Sequence, residues 1–345
     1  MVRPADEVAF LRKLQRLLDE GDFVATYKFA LLQALADLSV ENEPAPDGTL
    51  SISLDEIAAK LIEYYWRQAV PYRSGTILRQ SSGSQAAIVN RVAEAVPRYQ
   101  ASLAAARRDR RGWSRLCDRV ARIVEQMPLW RLQSIAGGTD EFLYRRATFS
   151  SGSILLEPGI AGCFRSFHPF VSNLVRGAWL GQILRIAANR SLLGPDHDLS
   201  EFLFGTERGS LEIYREILRD HQAGECFYCG KAAARSGDVD HFIPWSRYPI
   251  DLGHNFVFTH SACNNRKRDY LAHPDHLGRW RTQNIACAAP LERQFDQAAL
   301  PHDADRSLMI AKWAYEQGEA AGAHVWMEAD SFEPLTGRWR AALGE

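Results

Sequence analysis

Two short pairs carry most of the chemistry that the residue types of this chain allow: Cys226-x-x-Cys229 and His260-x-x-Cys263. Three thiolates and an imidazole complete a tetrahedral shell around zinc, and a shell of four protein ligands has no open position, so such a site holds structure and does no chemistry. Between the two pairs lies Val239-Asp240-His241-Phe242-Ile243-Pro244, an apolar run interrupted by an acid and a base. A metal that only folds a small module does not require that interruption. Asp240 is an oxygen donor of the kind that binds Mg²⁺, and the His241 imidazole is neutral enough near pH 7 to take a proton from water. On a regular strand these neighbours point to opposite faces, so convergence on one phosphate needs a twisted or loop-like exit. Pro244 and the Trp245-Ser246-Arg247 stretch after it suit such an exit.

Cys-x-x-Cys, Asp-His-x-x-Pro, Asn255 ahead of an apolar stretch, and His-x-x-Cys-Asn-Asn-Arg-Lys follow one another between residues 222 and 271. This order resembles the HNH endonuclease family, whose core is a ββα-metal finger. The resemblance implies His241 as general base, Asp240 and Asn264 as ligands of a catalytic Mg²⁺ or another divalent ion, and Asn255 as the residue that buttresses the loop and orients the base. Asn264 stands where many members have His, so the chain reads as a His-Asn-Asn variant. His260 stands where the commoner second knuckle has Cys, and imidazole is an ordinary zinc ligand. The implied reaction is hydrolysis of DNA phosphodiester bonds, by nicking or double-strand cleavage. His241 would deprotonate the attacking water while the ion stabilises charge on the phosphoryl and leaving oxygens. The other reading is a zinc-stabilised nucleic-acid or protein-binding module without catalysis.

Arg266, Lys267 and Arg268 come directly after Asn264-Asn265, and residues 264–281 hold five Arg or Lys against two Asp in a chain of net charge -1. These three read as phosphate contacts, salt-dependent and largely blind to sequence. A second basic cluster, Arg107, Arg108, Arg110, Arg111 and Arg115 beside Trp113, reads either as a nucleic-acid contact or as a solvated helix face. His254 reads as a loop or substrate-side contact, and Tyr228 as packing around the zinc. Cys117, Cys163 and Cys287 are scattered and expected to stay reduced.

The elements that must position these groups are mostly helical by pattern. Apolar residues recur at helical period over residues 7–18 and 25–38, and Ser53-x-x-Glu56 is a capping box ahead of Ile57, Leu61 and Tyr65. Further helices are expected over residues 84–96, 170–189 with Trp179 inward, 211–222, 276–282 and 305–317, with Pro290 as an interruption. Residues 142–156 suggest a hairpin turning at residues 150–153. The expected architecture is a mainly α fold with a small α+β (ββα-metal, zinc-stapled) nuclease domain. Its division would be a helical target-recognition, partner or regulatory region at 1–205, the finger at 206–280 and a helical extension at 281–345. The chain has no apolar run of 18 residues and no leader pattern, so it is expected in the cytoplasm, away from membranes, with DNA as partner beside a protein partner or a homo-oligomer. A helical front with a carboxyl-terminal finger resembles prokaryotic restriction or antiphage-defence nucleases, an analogy of layout alone.

Overall fold

A computed structural model of the chain describes residues 4–21, 23–73, 75–149, 152–193, 199–205 and 211–344. The chain divides into two compact units, Met1–Gly205 and Thr206–Glu345. The fold is mainly α, and every sheet among the described residues is a two-stranded antiparallel pair.

The first unit runs α1 (Pro4–Glu20), α2 (Tyr27–Glu41), β1 (Leu50–Ser53), α3 (Leu54–Gln68), α4 (Ala87–Ala95), α5 (Leu103–Arg108), α6 (Arg110–Gln126) and α7 (Pro128–Arg131). It continues with β2 (Ser134–Ile135), β3 (Gly138–Thr139), β4 (Ser153–Leu156), α8 (Ile160–Arg185) and α9 (Leu199–Phe204). α2 is its axis. Every residue from Lys28 to Glu41 is buried, and a helix buried all round must be wrapped by others, here chiefly α8 and α3. Polar residues inside this core are answered by partners. The Asp37 carboxylate accepts from Gln33 at 2.8 Å, from His168 at 2.7 Å and from the Tyr64 hydroxyl at 2.6 Å. Burial alone would raise the pKa of Asp37, but its bond to His168 and the nearby Lys60 charge hold it well below the usual carboxylate range. Tyr65 and Trp66 of α3 are core residues.

α3 starts on the expected capping box: Ser53 accepts from the Glu56 backbone N–H at 3.1 Å, and the Glu56 carboxylate reaches back to the Ser53 N–H at 2.9 Å. Of the hairpin expected over residues 142–156, the described residues keep one antiparallel bridge, Tyr144 opposite Leu156, with the Glu157 N–H donating to the Leu143 carbonyl at 2.9 Å. β4 pairs along its length with β1, Leu50 opposite Leu156 and Ser53 opposite Ser153; of the hairpin's expected turn, Ser150 and Ser151 lie outside the described residues. α8 begins at Ile160, ten residues ahead of the expected start, and bends at Phe167, two residues before Pro169. Proline removes a helical donor and crowds the preceding turn, which accounts for the bend.

The second unit comprises α10 (Glu212–His221), β5 (Asp238–His241), β6 (Phe256–Thr259), α11 (Ser261–Lys267), α12 (Pro274–Trp280), α13 (Ala288–Ala298), α14 (Ala304–Ala320), β7 (His324–Glu328), β8 (Ser331–Pro334) and α15 (Arg338–Leu343). β5, β6 and α11 are consecutive, a ββα arrangement. β5 pairs with β6 from Asp238 opposite Thr259 to His241 opposite Phe256. All four β6 residues are buried. Phe256 and Phe258 pack with Tyr214 and Leu218 of α10 and Leu291 and Phe295 of α13. The open edge of β6 is answered by the Gln222 amide, which accepts from the Phe258 N–H at 2.8 Å and donates to the Phe258 carbonyl at 2.7 Å.

Residues 281–345, expected as a separate extension, belong to this same unit. Trp326 of β7 exchanges backbone hydrogen bonds with Leu271 and His273, and its ring stands edge-on to Tyr228 at 5.1 Å. Pro290 does not interrupt: it lies in the first turn of α13, where a backbone N–H has no helical partner to lose.

The capping box yields a measurable expectation. Ser53→Ala should destabilise the first unit by about 1 kcal/mol, and Ser53→Asp should recover most of it, in chemical denaturation of the full chain.

Candidate functional site

The two knuckles meet. Ligand atoms of Cys226, Cys229, His260 and Cys263 lie within 4.8 Å of one another, and the group could hold a metal ion. Cys226 and Cys229 sit on the loop after α10, which Cys226 shapes by exchanging backbone hydrogen bonds with Lys231 and Gly230, the latter at φ 67. His260 follows β6 as the N-cap of α11, and Cys263 lies in the first turn of that helix. The His260 ring is oriented by its contact with the Ala232 carbonyl at 3.1 Å through Nε2, which turns Nδ1 toward Cys229 Sγ at 3.3 Å. Burial raises the Cys226 pKa, but the N–H groups of Cys229 and His260 and the Thr259 hydroxyl outweigh it and bring the thiol down to about 6. Cys263 is pushed up to about 12 by burial and by its neighbouring cysteines. Crowded thiolates of this kind oppose one another until a cation neutralises them.

At the other end of β5, Asn255 holds the backbone beyond the strand. Its side chain accepts from the Ile243 N–H at 2.8 Å and donates to the Ile243 carbonyl at 3.0 Å, while its own carbonyl accepts from the Phe242 N–H at 2.7 Å. The His241 ring stands edge-on to Phe256 at 4.8 Å and beside Trp245 at 5.3 Å, and its Nε2 meets Asp251 Oδ1 at 2.8 Å.

Asp240 has a different set of partners. Its Oδ2 accepts from the Tyr228 hydroxyl at 2.6 Å and pairs with Lys267 Nζ at 3.0 Å. Lys267 also donates to the His241 carbonyl at 2.9 Å and is fully buried. The expectation that Lys267 contacts nucleic acid is therefore corrected: its ammonium lies inside the finger and neutralises Asp240. Asn264 donates to Asp238 Oδ2 at 3.2 Å, and Asp238 also accepts from Ser261 at 2.8 Å. Asp240 Oδ1 and the side-chain Oδ1 of Asn264 have no protein partner among the described residues.

Other expectations divide. Arg266 and Arg268 are exposed, Arg268 at the left-handed φ of 49 that closes α11. Arg108, Arg110 and Arg111 are exposed on α5 and α6. Arg107 is half-buried, paired with Glu63 and held 5.6 Å over the Trp113 ring, so it is an internal tie and not part of an open contact surface. His254 is no substrate-side contact: it is wholly buried, edge-on to Phe295 at 5.6 Å, and burial followed by the nearby His302 and His221 lowers its pKa to about 4. Tyr228 does more than pack around the knuckle, since its hydroxyl reaches Asp240. The sequence reading passed over Asp238 and Asp251. The signal for Asp251 was an acid in the loop just ahead of Phe256, the cross-strand partner of His241.

Fold and site together define a helical domain followed by a small ββα unit with a cysteine-rich group able to take a metal. Residues 7–201, more than half of the chain, match the family described as a domain of unknown function (DUF8808), and the chain belongs to that family. No curated protein and no solved structure matches it. The matched stretch lies within the first unit and ends before α10, so the metal group falls outside it.

Asn255→Ala should cost roughly 1–3 kcal/mol for each Ile243 group left unsatisfied. Thermal unfolding should show the loss, whereas Asn255→Asp, which keeps the acceptor, should lose less.

Proposed function

We propose that the second unit is an HNH-type nuclease finger, stapled by zinc at Cys226, Cys229, His260 and Cys263, that hydrolyses DNA phosphodiester bonds with a divalent cation. The observation that carries this reading is the Asn255 clasp. It fixes the backbone just past His241 at one end of a ββα hairpin whose other end is closed by the four metal-type ligands. A module that only bound zinc would need the ligands and not the clasp, nor an imidazole oriented by a carboxylate.

The chemistry follows from the bonding of each group. Asp251 accepts from Nε2 of His241, which selects the tautomer with its lone pair on Nδ1 and stabilises the imidazolium formed when that nitrogen takes a proton from water. The oxygens of Asp240 and Asn264 without protein partners suit a hard cation such as Mg²⁺. Such an ion, when bound, supplies Lewis acidity at the phosphoryl group and at the leaving oxygen. Lys267 is a positioning residue: it ties the Asp240 carboxylate to the His241 carbonyl and so fixes the acid relative to the base. The exposed Arg266 and Arg268 are the finger's phosphate contacts. One finger holds one base, so each engagement cuts one strand, and double-strand cleavage requires two copies or two events. Because phosphate contacts carry little sequence information, selection of the target falls to other parts of the chain or to a partner, as suits a cytoplasmic restriction or antiphage effector.

One zinc per chain is expected by elemental analysis. Its removal by a chelator, or Cys229→Ser, should unfold the finger, because about 10 kcal/mol or more of zinc binding energy is folding energy in such modules. A metal-free preparation with an intact fold would refute the staple.

His241→Ala should slow nicking of supercoiled plasmid in Mg²⁺ by on the order of 10²–10⁴ while zinc content and fold persist. Asp251→Asn should lower the rate by less. An unchanged rate in His241→Ala would leave the binding-module reading in place.

A further inference from the structure

The arginines between residues 107 and 122 divide into two groups. Arg107 faces inward onto Glu63. On α6, Leu116, Cys117, Val120, Ala121 and Val124 are buried, and the opposite face carries Arg111, Arg115, Arg119 and Arg122, with Asp118 on the same face. Steps of four, four and three keep these four on one side of the helix. All four are exposed, and among the described residues none of them forms an ion pair or a hydrogen bond to a carboxylate. α6 holds five arginines against Asp118 and Glu125, in a chain whose net charge is -1. Beside this stripe, Arg91, Glu94, Arg98, Tyr99 and Trp113 join Arg115 and Arg119 around a cleft of about 120 Å³, in which Arg91 pairs with Glu94 and Arg98 with Asp109.

We infer that the exposed face of α6 is a docking surface for a nucleic-acid backbone, one that belongs to the helical unit and is separate from the finger. Three observations select this occupant. The exposed residues of the helix are Arg110, Arg111, Ser114, Arg115, Asp118 and Arg119, followed by Arg122, Glu125 and Gln126, with no apolar or aromatic anchor among them. A protein interface gains most of its energy from such anchors, and a membrane surface needs apolar side chains to insert. A phosphate backbone needs neither. The stripe is also regular: at about 1.5 Å rise per residue it extends about 16 Å. That length spans about five phosphates of one strand at roughly 3.4 Å of axis each. Finally, guanidinium groups bind phosphate oxygens in pairs, and here they stand on a rigid helix.

The test uses the full chain, without added Mg²⁺, so that it does not depend on cleavage and can fail or succeed apart from the nuclease reading. A mixed-sequence DNA duplex is titrated by fluorescence anisotropy across a range of salt. Replacing Arg111, Arg115, Arg119 and Arg122 together by Gln should weaken binding and reduce the slope of log K against log salt by about 3–4, at roughly 0.9 per phosphate contact. The two double variants, Arg111→Gln with Arg115→Gln and Arg119→Gln with Arg122→Gln, should each give about half of that change. The four Lys replacements should restore the slope. The inference is overturned if the wild-type chain does not bind the duplex, if the Gln variants keep the wild-type slope, or if Lys binds as poorly as Gln. Loss of binding to polyglutamate with unchanged binding to DNA would assign the stripe to an acidic protein instead and overturn it as well.

Discussion

The second unit depends on one electrostatic constraint: Cys226, Cys229 and Cys263 must stand close together with His260, and thiolates brought that close oppose one another. The fold meets this partly before any cation is considered. Backbone N–H groups and the Thr259 hydroxyl point at Cys226, and the Ala232 carbonyl turns the His260 ring. These bonds come from the loop after α10, the end of β6 and the start of α11. Closing the group therefore fixes three elements at once and sets the register between β5 and the helix that follows β6. The positions of Asp240 and His241 are consequences of that register.

From there the arrangement is governed by a buried charge pair. Lys267 has no exposure and Asp240 very little, and a buried ion pair is stable only when its remaining valences are filled. The Tyr228 hydroxyl and the His241 carbonyl fill them. On the proposed reading this has a chemical consequence. An acid already neutralised by a buried ammonium attracts a second cation weakly, and its neighbour Asn264 brings no charge. A divalent ion there would gain most from the phosphate oxygens that arrive with substrate, so ion and DNA should assist each other's binding.

Local features of the fold were legible in the sequence because their causes are local. The capping box of α3, the periodicity of α1 and α2 and the spacing of both knuckles all appear where their residues predict. The pairing of β4 with β1 was not legible, since Leu156 finds Leu50 across α3 to α7 and nothing in the alternation of either strand names the partner. The β7–β8 hairpin was missed for a related reason: its Trp326 acquires meaning only through Tyr228 and Leu271. Within the site, the motif residues were visible and their partners were not. Lys267 read as one of three basic neighbours, although it lies four residues after Cys263 and hence on the same, inward side of α11. Charge in a sequence does not distinguish a buried ammonium from a solvated one; helical phase does.

That distinction also organises the basic residues of the whole chain. With a net charge of -1 the chain has no excess of positive charge overall, so on the inferred reading attraction to a polyanion would come from local arrangement. Three basic side chains on inward faces are paired with carboxylates: Arg107 with Glu63, Lys60 with Glu41, Lys267 with Asp240. Where the phase turns outward along α6, Arg111, Arg115, Arg119 and Arg122 form no ion pair among the described residues. Pairing removes a charge from the outer surface, so the unpaired stripe stands out against a nearly neutral background. Its attraction decays within a Debye length of about 8 Å at physiological salt. On the inferred reading, such a surface would do little until contact is close, and would then hold a phosphate backbone by charge alone, without reading its bases.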